Sequence, residues 1–215
     1  MTPAELFKQL VPIPESVWCE YLFNQDPLKD KVSPERRAEL IAGGVACGEK
    51  LAKQLKEENG TKDATALAEK LCVITHTDAD AILHQVFLAT FTEPNQLKLF
   101  DTPITKLADL QVPGFTRDVI LNIVTGHELF HYAEGKYDDL YTKTAKVDLW
   151  QLFGYHHQST VRAVSEIAAM AFSWRLNKLT YSPLVLNILL LSQYAKTGAE
   201  PALAQLQQLT AQETA

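Results

Sequence analysis

His127, Glu128 and His131 occur as His127-Glu-Leu-Phe-His131, two imidazoles four positions apart with a carboxylate directly after the first. Each residue of an α-helix advances by about 100°, so the two histidines lie about 40° apart on one face and one turn apart along the axis. Imidazoles stacked in this way can converge on a single Zn²⁺ ion at about 2.0–2.1 Å. Glu128 falls on the flank of the same face, where its carboxylate can take a proton from a water at the ion. The chemistry implied is metal-assisted hydrolysis with Glu128 as general base.

A hydrolytic zinc site usually takes three protein ligands and keeps one position for water. The glutamates after His131 are Glu134, Glu166, Glu200 and Glu213. Glu134 lies one turn further along the same helix, from which it cannot easily turn back to the ion. Glu200 stands beside Pro201 at a helix start, and Glu213 is in the terminal tail. Glu166 sits among Val164, Ile167, Ala168, Ala169, Ala171 and Phe172, and a carboxylate in such apolar surroundings requires a compensating charge. The small alanines also let this helix approach the one that bears the histidines. Two plainer readings compete: both imidazoles facing water on an amphipathic turn, and an i, i+4 ion pair of Arg162 with Glu166. The latter order, with the cation N-terminal, is the weaker one on a helix.

Elements able to carry these residues can be read on either side of the motif. From Thr116 a helix runs through Arg117-Asp-Val-Ile-Leu-Asn-Ile-Val to about Ala133, ending before Gly135. A Ser159-to-Asn177 helix, rich in Ala, should be buried over much of its surface. Between them residues 135–157 read as a long polar and aromatic connector, in which Tyr155, His156 and His157 are candidates for stabilising an oxyanion.

Upstream, residues 1–32 read as a short helix and an irregular lead bearing Trp18, Tyr21 and Phe23, broken around Gln25-Asp26-Pro27. Ser33-Pro34-Glu35 is a helix start, with a capping Ser, Pro at the first helical position and an acid in the first turn. That helix should run to about Glu58 and stop at Asn59-Gly60. A shorter helix from Thr61 to about Leu71, a brief strand at Cys72-Val-Ile-Thr, and a hairpin of Val86–Thr92 with Gln96–Phe100 about Glu93-Pro94-Asn95 follow. Two helices, about 183–196 and 200–212, occupy the C-terminal segment 183–215. The expected fold is one α+β domain over residues 1–215, predominantly helical with a small β-sheet.

Composition narrows the function classes. With 215 residues, 47% of them hydrophobic, the chain can bury a core without a covalent staple. Cys19, Cys47 and Cys72 form no CxxC pair and read as plain thiols of a reducing compartment. A net charge of −6 and a pI near 5.5, with Lys and Arg dispersed, offer no basic face for a phosphate backbone, so direct nucleic-acid binding is disfavoured. The N-terminus does not read as a signal peptide, and the longest apolar stretch, Pro183 to Leu191, contains Asn187 and is too short to span a bilayer. A cytoplasmic location with no membrane partner is expected. His76, His84, Asp78 and Asp80 read as caps, surface groups or hydrogen-bond partners rather than as a second metal site.

Taken together, His127-Glu-Leu-Phe-His131 and Glu166-Ile-Ala-Ala169-Met-Ala-Phe172 resemble the two metal helices of the ImmA/IrrE family of metallopeptidases, an HExxH followed by an E-x-x-A-x-x-F-A-like helix. Glu58 to Val73 is similar to that family's short helix leading into its first strand, and the resemblance covers roughly residues 45–185. It implies a gluzincin-like, that is zincin-like, α+β fold with zinc on His127, His131 and Glu166 and catalysis by Glu128. The implied substrates are proteins, often bacterial or phage transcriptional regulators. Two departures bear on the shape of the cleft: Glu166 follows His131 by 35 positions, longer than is usual for the family, and Met170 stands where an Asn commonly follows the Ala. One alternative is a catalytically silent zinc-binding module that holds a regulatory partner. Another is a ferritin-like di-iron bundle, since Glu128-Leu-Phe-His131 is also ExxH, but that architecture needs a second ExxH, which this sequence lacks.

Overall fold

Caps set where the long helices begin. Ser33 accepts a hydrogen bond from the Arg36 amide at 3.3 Å and Pro34 opens α3 (Pro34–Asn59), which closes on Gly60 at a left-handed φ of 63°. Thr116 accepts from the Val119 amide at the start of α6 (Arg117–Lys136). Helical bonding in α6 continues through Gly135, past the end expected at Ala133, and the Tyr137 amide still reaches the Ala133 carbonyl at 2.9 Å. The computed structural model describes residues 1–61, 63–79, 87–152, 155–194 and 198–213, and of 150–152, 155 and 156 the backbone only.

Around these helices the other elements follow in order: α1 (Pro3–Leu10), α2 (Glu15–Phe23), α4 (Ala64–Lys70), β1 (Ile74–Asp78), β2 (Ala89–Thr92), β3 (Gln96–Phe100) and α5 (Asp101–Ala108) before α6. After it come α7 (Tyr141–Thr144), β4 (Lys146–Leu152), β5 (Tyr155–Thr160), α8 (Arg162–Leu176), α9 (Val185–Tyr194) and α10 (Ala199–Glu213). The architecture is mixed α+β and mostly helical. β2 and β3 form the expected hairpin, with Ala89 opposite Leu99 and Thr92 opposite Gln96, while β1 runs parallel to β3, giving the order β1-β3-β2. Leu97 and Leu99 point into the core from alternate positions of β3. None of the helices in the described residues is long and apolar enough to cross a membrane.

Several sequence expectations change, among them the strand expected at Cys72–Thr75, which runs from Ile74 to Asp78. The irregular lead is largely helical: α2 buries Val17, Trp18, Cys19 and Phe23 because α10, α8 and α3 all pack against it. A helix covered on several sides has no single apolar stripe, so its period is hidden. The connector of residues 135–157 holds α7 and a β4–β5 antiparallel pair, with Lys146 opposite Thr160. Ser159 and Thr160 therefore belong to β5, and the next helix starts at Arg162 instead of Ser159. Helix α5 was not anticipated; it follows β3 without a break and tolerates Pro103 in its first turn, where no intrahelical N–H is required.

Helix α8 lies at the centre. Every residue from Ile167 to Ser173 is buried, between α3 on one side and α6 on the other. Gly48 of α3 meets the backbone of α8 so closely that a Cβ there would overlap the Ala168 carbonyl oxygen. Toward α6, a Cβ on Gly126 would come within 2.8 Å of Asn177 Nδ2 and 3.0 Å of Ser173 Oγ. Polar bonds stitch that second contact: Ser173 Oγ donates to the Ile123 carbonyl at 2.7 Å and Asn177 Nδ2 to the Asn122 carbonyl at 3.1 Å. The N-terminus of α8 has no cap from its own side chains, and the buried Asp26 provides one, accepting from the Ala163 amide at 2.8 Å and the Leu28 amide at 2.7 Å.

Gly48→Ala should lower the urea midpoint by the equivalent of about 1–3 kcal/mol, the usual cost of overpacking; a parent-like midpoint would mean that α3 and α8 are not in backbone contact. Asp26→Ala should cost about 1–3 kcal/mol in the same measurement, because a buried amide loses its acceptor.

Candidate metal centre

α6 turns its apolar side chains, Leu129 and Phe130, into the core, and leaves His127, Glu128 and His131 half-exposed. Opposite them, one turn into α8, stands Glu166, also half-exposed. His127 Nε2 is 3.3 Å from His131 Nε2 and 3.3 Å from Glu166 Oε2. All three ligand atoms lie within 4.8 Å of one another, and no other group of three or more His, Cys, Asp or Glu meets that condition among the described residues.

The spacing can be tested against the ion proposed for it. A tetrahedral centre with arms of about 2.0–2.1 Å has edges of about 3.3–3.4 Å. The two separations from His127 Nε2 match that edge, and the third pair, His131 with Glu166, lies within 4.8 Å. A nitrogen carries at most one proton in the ring plane, so His127 Nε2 cannot donate to both neighbours, whereas one cation between the three atoms satisfies them all. The donor set, two imidazoles and one carboxylate, suits Zn²⁺.

Electrostatics favour a cation as well. Burial works against the ionised Glu166, but the hydrogen bond to His127 and the charges of His127, His131 and Arg162 outweigh it and bring its carboxyl down to about 2. Burial likewise opposes a charged His127, yet the hydrogen bond to Glu166 and the charges of Glu128 and Glu166 raise its pKa. Glu166 thus stays anionic at neutral pH, the state a metal ligand needs.

The Glu166 carboxylate meets Arg162 and His127 with different oxygens. Its Oε1 is 3.5 Å from Arg162 Nε, the i, i+4 pair, while Oε2 faces His127. Arg162 is 84% exposed at its side chain, so that pair is weak and does not explain why the carboxylate turns inward. Glu128 makes no hydrogen bond or ion pair with any described residue, and its charge acts on the adjacent His127.

Other candidates fall elsewhere. The side chains of Tyr155 and His156 lie outside the described residues; His157 is exposed on β5, opposite Trp150. His84 and Asp80 also lie outside the described residues. His76 Nε2 is 2.7 Å from Gln96 Oε1 and Asp78 is 3.0 Å from Lys98 Nζ, so both have partners on β3, as expected for surface groups. Met170 is fully buried and accepts a weak hydrogen bond from Ser182, away from solvent. The 35 positions between His131 and Glu166 are taken up by α7 and the β4–β5 pair.

Glu134 is not among the three clustered residues, in line with its place one turn beyond His131. It does turn back, however, toward the other ring nitrogen of His131: Oε2 is 3.4 Å from Nδ1 and accepts from Ser165 Oγ at 2.7 Å. Burial acts to raise its pKa, but hydrogen bonds from neighbours, His131 first, hold it below the ordinary value. An acid three positions after a helical histidine is a signal for such a contact; Ser165 gave none.

No protein-family model, curated protein or solved structure matches this chain.

Purified protein should retain about one zinc per chain, with His131→Ala and Glu166→Ala losing it and Arg162→Ala keeping it. If Glu166→Ala held as much zinc as the parent, Glu166 would be an ion-pair residue only.

Proposed function

We propose that this protein is a zinc-dependent metallopeptidase with a zincin-like fold, hydrolysing a peptide bond in a cytoplasmic protein substrate such as a bacterial or phage transcriptional regulator. The observation that carries the reading is the convergence of His127, His131 and Glu166 from two helices to within 4.8 Å of one another, with both separations from His127 Nε2 at the edge length of a tetrahedral ion and Glu128 beside them. The resemblance of both helices to the ImmA/IrrE family supports it.

Bound Zn²⁺ would supply Lewis acidity, lowering the pKa of a water and polarising the scissile carbonyl. Glu128, free of other protein partners among the described residues, accepts the proton of the attacking water and passes it to the leaving amine as the C–N bond breaks. Placing β2 beside α6 suits an extended substrate. Among the described residues β2 is the outer strand of its sheet, and Phe91 on it packs edge-to-face on Tyr132, next to His131, with ring centroids 6.0 Å apart. A peptide added to that edge by main-chain hydrogen bonds would run past the ligands. The acidic net charge gives no support to a nucleic-acid substrate.

Cleavage of a fluorogenic peptide library by zinc-loaded protein should fall about 10²- to 10⁴-fold in Glu128→Gln, the usual contribution of a general base, with zinc content unchanged. Full activity in the zinc-loaded variant would exclude Glu128 as the base. A zinc-loaded parent that cleaves neither the library nor candidate regulators would favour the silent partner-binding module.

A further inference from the structure

We propose that Glu134 is the positioning carboxylate of the metal centre, accepting the Nδ1 proton of His131 so that Nε2 is aimed at the ion, with Ser165 holding the carboxylate in place. The inference rests on the reading of His127, His131 and Glu166 as the ligand set, and adds the residues that orient one ligand. A neutral imidazole that binds a metal through one nitrogen carries its proton on the other, and that N–H fixes the ring only if an acceptor meets it. For His131, Nε2 faces His127 Nε2 at 3.3 Å, and Nδ1 faces Glu134 Oε2 at 3.4 Å. The ring is therefore engaged on both edges, one toward the ligand cluster and one toward a carboxylate.

The carboxylate is itself held by Ser165, and the main chain that bears it by Lys143. Ser165 Oγ donates to Glu134 Oε2 at 2.7 Å and is 3.5 Å from His131 Nδ1, so one oxygen sits at the corner of a small triangle. Ser165 directly precedes Glu166 on α8; the residue bracing the carboxylate and the third ligand thus share one turn of helix. Lys143 Nζ donates to the Glu134 main-chain carbonyl at 3.2 Å, tying down the last turn of α6. The Glu134 side chain is 20% exposed, which limits competition from water for the His131 proton.

The competing account makes Glu134 and Ser165 a tether between α6 and α8 with no bearing on the ion. Glu134→Gln separates the two, because a glutamine oxygen still accepts from Ser165 while the charge that holds the imidazole proton is gone. We expect zinc affinity, measured by competition with a chromophoric chelator, to fall about 10- to 100-fold in Glu134→Ala. A smaller fall is expected in Glu134→Gln and in Ser165→Ala. In the zinc-loaded protein, ¹H–¹⁵N correlation of the imidazoles should show a hydrogen-bonded Nδ1 proton on His131 that moves upfield in Glu134→Gln, at unchanged thermal midpoint of the zinc-free protein. Parent-like affinity and an unmoved resonance in Glu134→Gln would overturn the proposal and leave the ligand set standing. A parent that binds no zinc would overturn both.

Discussion

Two helices can bring short side chains together on one ion only if their axes are close, and here closeness is set by what the contact residues lack. Interaxial distances of helices run from about 8 to 10 Å according to the side chains between them. Gly48 on α3 and Gly126 on α6 leave no Cβ in the two contacts, and Ala168, Ala169 and Ala171 add little bulk from α8. α8 is thereby clamped on both sides, and Glu166, half a helix-width from its own axis, reaches His127. The hydrogen bonds of Ser173 and Asn177 to main-chain carbonyls of α6 then fix how far α8 slides along its neighbour. Register matters as much as distance, since a slide of one residue would rotate Glu166 by about 100° away from the imidazoles.

Charge at the site is organised in layers around that clamp. Glu166 divides its two oxygens between His127 and Arg162, one inward and one outward. His131 divides its two nitrogens between His127 and Glu134. Glu166 and His131 are thus each backed by a partner on the far side, and an ion entering between them would meet these two already turned toward it. Such an arrangement needs little reorganisation on binding, which is what gives a preorganised site its affinity.

Much of this was legible from local chemistry. Ser33, Thr116 and Gly60 announce helix boundaries because caps act within a few residues, and the β2–β3 hairpin shows in its alternation and its turn. His127, Glu128 and His131 are recognisable because a helix converts sequence spacing into angle. Glu166 is legible for a different reason: an acid in an apolar helix demands an explanation. What stayed hidden depends on distant partners. The helicity of Glu15–Phe23 is masked by burial on several faces, and the β4–β5 pair carries too many polar and aromatic residues to alternate clearly. The acceptor for the Ala163 amide is a side chain from Asp26, in a stretch that read only as a break.

That contact joins residues 137 positions apart. A nascent chain halted ahead of α8 already has both histidines, yet it has neither the third ligand nor the helix whose end Asp26 closes. An ion held by His127, His131 and Glu166 would consequently require α6 and α8 packed together as they are in the folded chain. By linkage, an ion held there would stabilise the native state as a whole against unfolding instead of reinforcing a single segment, and damage to the N-terminal helices, far along the sequence, would register as leakage of metal.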